Sequence, residues 1–202
     1  MAYSTTITYK VGVDGRYRED YVMKTIKIFV VTLMCCMIFS NSAAANTLGQ
    51  YEIPLAQATT PESATNACVA SMYLNQTIIN PGEIFSYNRI VGERTPERFF
   101  IMAPIASTSK NTVYEYGGGI CMTAGILLQA VKDAGLQIVE RHNHVTSVNY
   151  LPLGEDAAIY WGVQDLKFKN TLDRSVLIHI SFANDSLKIE IRDVEENLGQ
   201  FN

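Results

Sequence analysis

The chain has 202 residues, 48% of them hydrophobic and 18% charged, with 16 Lys+Arg against 20 Asp+Glu. That length allows one domain of ordinary size, or one domain plus a tail, and the apolar fraction excludes wholesale disorder. A net charge of −4 with a pI near 5.4 lacks the basic face of a nucleic-acid binder, and four cysteines are too few for a disulfide-dense scaffold.

Residues 23–45 have the order of a secretory signal peptide. Lys24 and Lys27 precede the uncharged apolar run Ile28–Phe39, and Ala43-Ala44-Ala45 supplies the small residues of a cleavage site. Twelve residues rise only about 18 Å as a helix, short of a ~30 Å hydrocarbon core, so contact with the membrane is expected only through this segment. Residues 1–22 are polar and sit awkwardly before it, which reads as a doubtful leader with Met23 as the true start. Cleavage after Ala45 leaves 157 residues at net −6, and only Cys68 and Cys121 of the four cysteines. Export places those two where disulfides are permitted.

The mature chain divides into an extended lead-in, 46–60, and one domain, 61–202. Thr60-Pro61-Glu62 is an N-cap, a proline at the first helical position and an acid in the first turn, so a helix is expected to follow until Asn80-Pro81-Gly82. Ile84–Asn88 reads as a short strand. Gly117-Gly118-Gly119 leads into a second helix from Cys121 to Ala134, which Gly135 stops. The period then changes to two, with strands expected over 136–144, 157–163, 165–169, 176–182 and 187–191. Asn184-Asp185 is a hairpin turn that sets Ile178, Ile180 and Phe182 against Leu187, Ile189 and Ile191. The fold class is α+β: an N-terminal helix, a Gly-rich loop into a second helix, and a mainly antiparallel C-terminal sheet.

Three glycines running into a cysteine at a helix start are the most informative feature. Unpaired N–H groups and the positive end of the helix dipole favour negative charge there. Glycines ahead of the thiol are expected to let a substrate approach the backbone. Alternation puts Leu136, Ile138, Glu140, His142 and His144 on one strand face, which runs from the core toward a cleft. His144 or His142 would serve as base to Cys121, with Asp156 or Asn143 orienting it. The chain order Cys, His, Asp is that of transglutaminase-like and NlpC-type cysteine hydrolases, a similarity of arrangement only.

Other readings stand beside this one. Cys121 could form a structural disulfide with Cys68, or be a small buried residue at a tightly packed helix start. Glu140, His142 and His144 could ligate zinc, but the pair of histidines lacks further ligand spacing, so neither metal nor cofactor is called for. His179, among apolar neighbours, reads as half-buried and structural. Tyr160 and Trp161 read as sheet packing or as rim aromatics able to stack on sugar.

Several motifs in order resemble the VanW family: Asn80–Asn88, Val91–Thr95, Gly117–Cys121, Ala134–Arg141 with the histidine of His142–His144, Tyr150–Ala157 and Asp165–Asn170. The resemblance spans about residues 60–192. It implies an exported cell-envelope protein whose partner is peptidoglycan or its peptide precursors. Cysteine-dependent hydrolysis or transfer is one expectation, with Cys121, His144, His142 and Asp156 catalytic and Gly117, Gly118, Gly119, Glu140 and Tyr150 binding substrate. A non-catalytic wall-binding module is the alternative. The family usually has Gln and a Ser/Thr-rich turn after GGGIC, where this chain has Met122, Thr123, Ala124 and Gly125. A hydrogen bond from a glutamine at 122 to an oxyanion would then be missing. Arg98-Phe99-Phe100 replaces a more usual Gly–aromatic pair.

Overall fold

A computed structural model of the chain describes residues 46–105 and 111–194. The signal and leader readings, 1–45, lie outside the described residues. Helix α1 spans Pro61–Leu74, and the Thr60 hydroxyl accepts from Ser63 N–H at 3.2 Å, as the capping pattern predicts. Asn75 ends α1 and accepts from Ile180 N–H at 2.8 Å, which docks the helix on the neighbouring sheet.

That sheet has the order β1 (Thr47–Pro54), β9 (Ser186–Asp193), β8 (Val176–Ala183), β2 (Thr77–Ile79), all neighbours antiparallel. The hairpin register is the predicted one: Ile178 opposes Ile191, Ile180 opposes Ile189, and Phe182 opposes Leu187. Asn184 and Asp185 both take positive φ, 49° and 59°, which matches the strand twist. His179 is half-buried on β8, where burial lowers its pKa. The lead-in is not loose, because residues 47–54 pair with β9 along their length. Its polar character fits an edge strand in which only Gly49 and Ile53 are fully buried.

The second sheet joins β3 (Ile84–Ser86), β7 (Lys167–Lys169) and β6 (Gln137–Glu140), and Phe85 stacks on its cross-strand partner Phe168 with centroids 4.7 Å apart. Strand β3 stops at Ser86, whose hydroxyl accepts from Arg89 N–H and opens the short helix α2 (Tyr87–Val91). A two-stranded ribbon pairs β4 (Met102–Ile105) with β5 (Val113–Tyr116). Helix α3 (Ile120–Asp133) is almost wholly buried and packs against α1, β1 and β9. Its C-terminal stop is Gly135, at φ 69°.

Two expected strands differ. The 136–144 strand ends at Glu140 after a register shift, and 157–163 forms no strand but a turn bridged by Tyr160 and Gln164. Gly162, at φ 73°, makes that turn, and side-chain hydrogen bonds from outside outweigh the local alternation. Among the described residues no helix is long and apolar enough to cross a membrane.

Candidate functional site: a cysteine–histidine–aspartate chain in a cleft

A cleft of about 1090 Å³ opens between the β4–β5 ribbon, the start of α3 and the irregular segment 144–164. Cys121 and His144 both line it. Cys121 sits in the first turn of α3, with its sulfur against the backbone of Ile159. The Ile159 N–H donates to that sulfur at 3.4 Å, and the Ile159 carbonyl lies at 3.8 Å. The Cys121 side chain also acts on the His144 ring, which lines the same cleft.

His144 in turn faces Asp156. Its Nδ1 lies 2.6 Å from Oδ2 of Asp156, and its backbone N–H donates to the same oxygen at 2.9 Å. The two side chains are only 11% and 3% exposed. The contact with Cys121 is the largest cause acting on the His144 ring. Burial opposes it and Asp156 adds to it, and together they raise the pKa to about 9. Burial disfavours a charged Asp156, yet the His144 N–H and ring outweigh it and hold the carboxyl below its usual range.

The glycines also have a packing role. All three line the cleft, but the space left by their missing side chains is filled by the protein itself. A Cβ at Gly118 would lie 2.3 Å from the Ala103 carbonyl oxygen, and one at Gly119 would lie 2.6 Å from Ser63. Gly119 also takes φ 99°, a conformation L side chains avoid. The glycines thus let α1, β4 and the helix start converge on Cys121. Asn66, buried mid-helix in α1, fastens the junction: its Nδ2 donates to the Ile101 and Gly118 carbonyls and its Oδ1 accepts from Ile101 N–H, each at 2.9 Å.

Tyr150 lines the cleft, and burial pushes its hydroxyl pKa up. Glu140 and His142 lie elsewhere. They pair with each other at 3.0 Å, and Glu140 also accepts from Lys167 Nζ at 2.7 Å and from Asp165 N–H. The chain leaves strand geometry after Glu140, so alternation no longer aligns His142 with His144. Among the described residues no group of three His, Cys, Asp or Glu side chains is placed to hold a metal. Cys121 is not bonded to Cys68, which lies on α1 one position beyond Ala67, the residue whose carbonyl meets Thr123 of α3.

Several contributors escaped the sequence reading. Asp165 accepts from the Ser86 hydroxyl at 2.6 Å and from Asn88 and Leu166 N–H at 2.9 Å, so it ties α2 to the turn at 160–164. Asn88 completes the tie through its amide to the Gln164 carbonyl at 2.9 Å. Arg94 lines the cleft with its stem against Gly117, where a Cβ would lie 2.5 Å from Arg94 Cγ. The signal available was the Val91–Thr95 motif itself and, for Asn66, an amide in the middle of an apolar helix.

The model of the family described as VanW like protein matches residues 62–192. The chain belongs to the VanW-like family. The uncharacterized protein YoaR of Bacillus subtilis (strain 168) is 35% identical over 145 residues, covering 71% of this chain and 47% of that protein. The vancomycin B-type resistance protein VanW of Enterococcus faecalis (strain ATCC 700802 / V583) is 28% identical over 127 residues, covering 60% of this chain and 46% of that protein. The VanW-like chain thus spans about half the length of the curated relatives it matches. No solved structure matches it. The family departure at Met122 falls on a side chain that is 1% exposed and packed in the core, so it leaves the cleft lining unaltered.

Proposed function

We propose that this VanW-like protein is exported and acts at the cell envelope as a cysteine-dependent hydrolase or transferase on peptidoglycan peptides. The observation that carries the reading is the Cys121–His144–Asp156 chain, with its sulfur at the wall of an open cleft. Export rests on the signal pattern of residues 23–45, and the envelope on kinship to the E. faecalis resistance protein.

In this mechanism the Cys121 sulfur attacks the carbonyl carbon of a peptide bond as His144 takes the thiol proton. As the C–N bond breaks, the imidazolium gives its proton to the leaving amine and a thioester remains on the sulfur. Water, or an incoming amine, then attacks the thioester while His144 takes its proton and passes it to the departing sulfur, which restores the thiol. In the first turn of α3 the Ile120 and Met122 N–H groups already donate to the Gly117 and Gly119 carbonyls, so stabilising the oxyanion would fall to the Cys121 N–H. Asp156 holds the ring in register and stabilises its positive charge.

The test is mass-spectrometric analysis of peptidoglycan fragments incubated with the full chain and with Cys121→Ala. New cleaved or cross-linked peptides that vanish in the variant are expected. The same products with Cys121→Ala, or none with either protein, would overturn the reading. A wall-binding module is the second reading, favoured by Tyr114, Tyr116, Tyr160 and Trp161, all cleft-lining and 45–55% exposed. Such a module keeps its binding in Cys121→Ala and shows no product.

A further inference from the structure

We propose that Arg94 anchors a carboxylate subsite in the cleft and takes the free C-terminal carboxylate of a peptide whose scissile bond lies at Cys121. The proposal rests on the reading of the cleft as a peptide site. Arg94 follows α2 and is the only arginine among the residues lining the cleft. Its guanidinium is fixed in place: NH1 donates to the Gly92 carbonyl at 2.8 Å and NH2 to Asn88 Oδ1 at 2.7 Å. The rings of Tyr87 and Trp161 flank it, at 5.9 Å and 5.7 Å from centroid to Cζ.

Every one of those acceptors is neutral. None of the ion pairs formed among the described residues includes Arg94, and its Nε is buried with no hydrogen-bond partner. Burial lowers its pKa, but a guanidinium stays charged at any physiological pH. Cys121 and Asp165 offset part of that burial cost from a distance, and Arg98 adds to it. A fixed cation with donors to spare and no carboxylate of its own is a preorganised receptor for one. Glu93 and Glu115 line the same cleft, which disfavours a ligand of high negative charge and fits a single carboxylate. Gly117 packs on the stem of Arg94, so the subsite shares a wall with the glycine loop that delivers Cys121.

The probe is a synthetic peptidoglycan stem pentapeptide, as the free acid and as the C-terminal amide, titrated calorimetrically into the full chain carrying Cys121→Ala. The acid should bind roughly ten-fold or more tightly than the amide, as expected for a charge-assisted contact. Arg94→Gln in the same background should bring the two to equal affinity. Discrimination in the Cys121→Ala protein needs no change at Arg94, so a poorly folding Arg94→Gln does not remove the test. Equal binding of acid and amide, binding of neither, or discrimination that survives in Arg94→Gln would overturn the subsite. Acid-selective binding without any cleavage by the native protein would instead sink the hydrolase reading and leave the subsite standing.

Discussion

Strand β9 of the β8–β9 hairpin and the segment 141–164 both pack on α3, and the two regions are built by different means. The hairpin is held by its own alternation: Ile178, Ile180, Leu187, Ile189 and Ile191 are buried, and every residue from Val176 to Ala183 has a partner opposite it on β9. The segment 141–164 has no named strand or helix and is held by side chains reaching into its backbone. Arg141 donates to the Asp156 and Gly154 carbonyls, Asp156 accepts from His144 N–H, and Asn88 grips the Gln164 carbonyl. The first region stores stability and the second places chemistry. Burial energy is non-directional, whereas hydrogen bonds fix where His144 and the Ile159 backbone sit against one sulfur.

The largest effect should come from the hairpin. Ile189→Ala should cost about 2–5 kcal/mol in denaturant unfolding. The alkylation rate of Cys121 in the folded protein should nevertheless stay at its native value. A matching loss of reactivity would show that the two regions are not separable.

Asp165→Ala should reverse that balance. It leaves the Ser86 hydroxyl and two backbone N–H groups without their acceptor, at about 1–3 kcal/mol, and should lower Cys121 alkylation by loosening the 160–164 turn. Unchanged alkylation would mean that Ile159 is positioned without it.

Much of this contrast was legible beforehand on one side only. The Asn184-Asp185 turn fixed the register by chemistry within two residues, and Thr60 announced α1 in the same local way. Cys121, His144 and Asp156 were legible as residue types, and the structure brings these three together. His142 and Glu140 were grouped with them by an alternation that stops at Glu140. The 157–163 turn carried a misleading apolar run, because its conformation is held from Asn88, 76 positions before the Gln164 carbonyl that its amide reaches. Residues 47–54 were too polar to announce a strand whose pairing partner lies some 140 positions away, as in the Thr47 and Glu190 hydrogen bond.

Acid should reveal the site segment selectively. The Asp156 pKa is lowered on folding, so its contribution is present above the ordinary value of 3.8 and is lost as pH falls through the lower folded value. Asp156→Asn should flatten that part of the acid-unfolding profile, and an unchanged profile would remove Asp156 from the account.

The smallest effect is a gain. Phe99 takes φ 68° and is 52% exposed. Phe99→Gly should raise stability by about 0.5–1 kcal/mol in chemical denaturation, by relieving left-handed strain remote from both regions. A loss would show that the exposed ring contributes more than the backbone strain costs.

The account turns on where the proton of the Cys121–His144 pair resides. Nuclear magnetic resonance titration of the His144 ring in the full chain reads this directly. The ring should titrate near pH 9 in the native protein and at a clearly lower pH in Cys121→Ala, since the contact with Cys121 is the largest cause of the shift. An ordinary titration near 6.5 in the native protein, or one indifferent to Cys121→Ala, would contradict the pair.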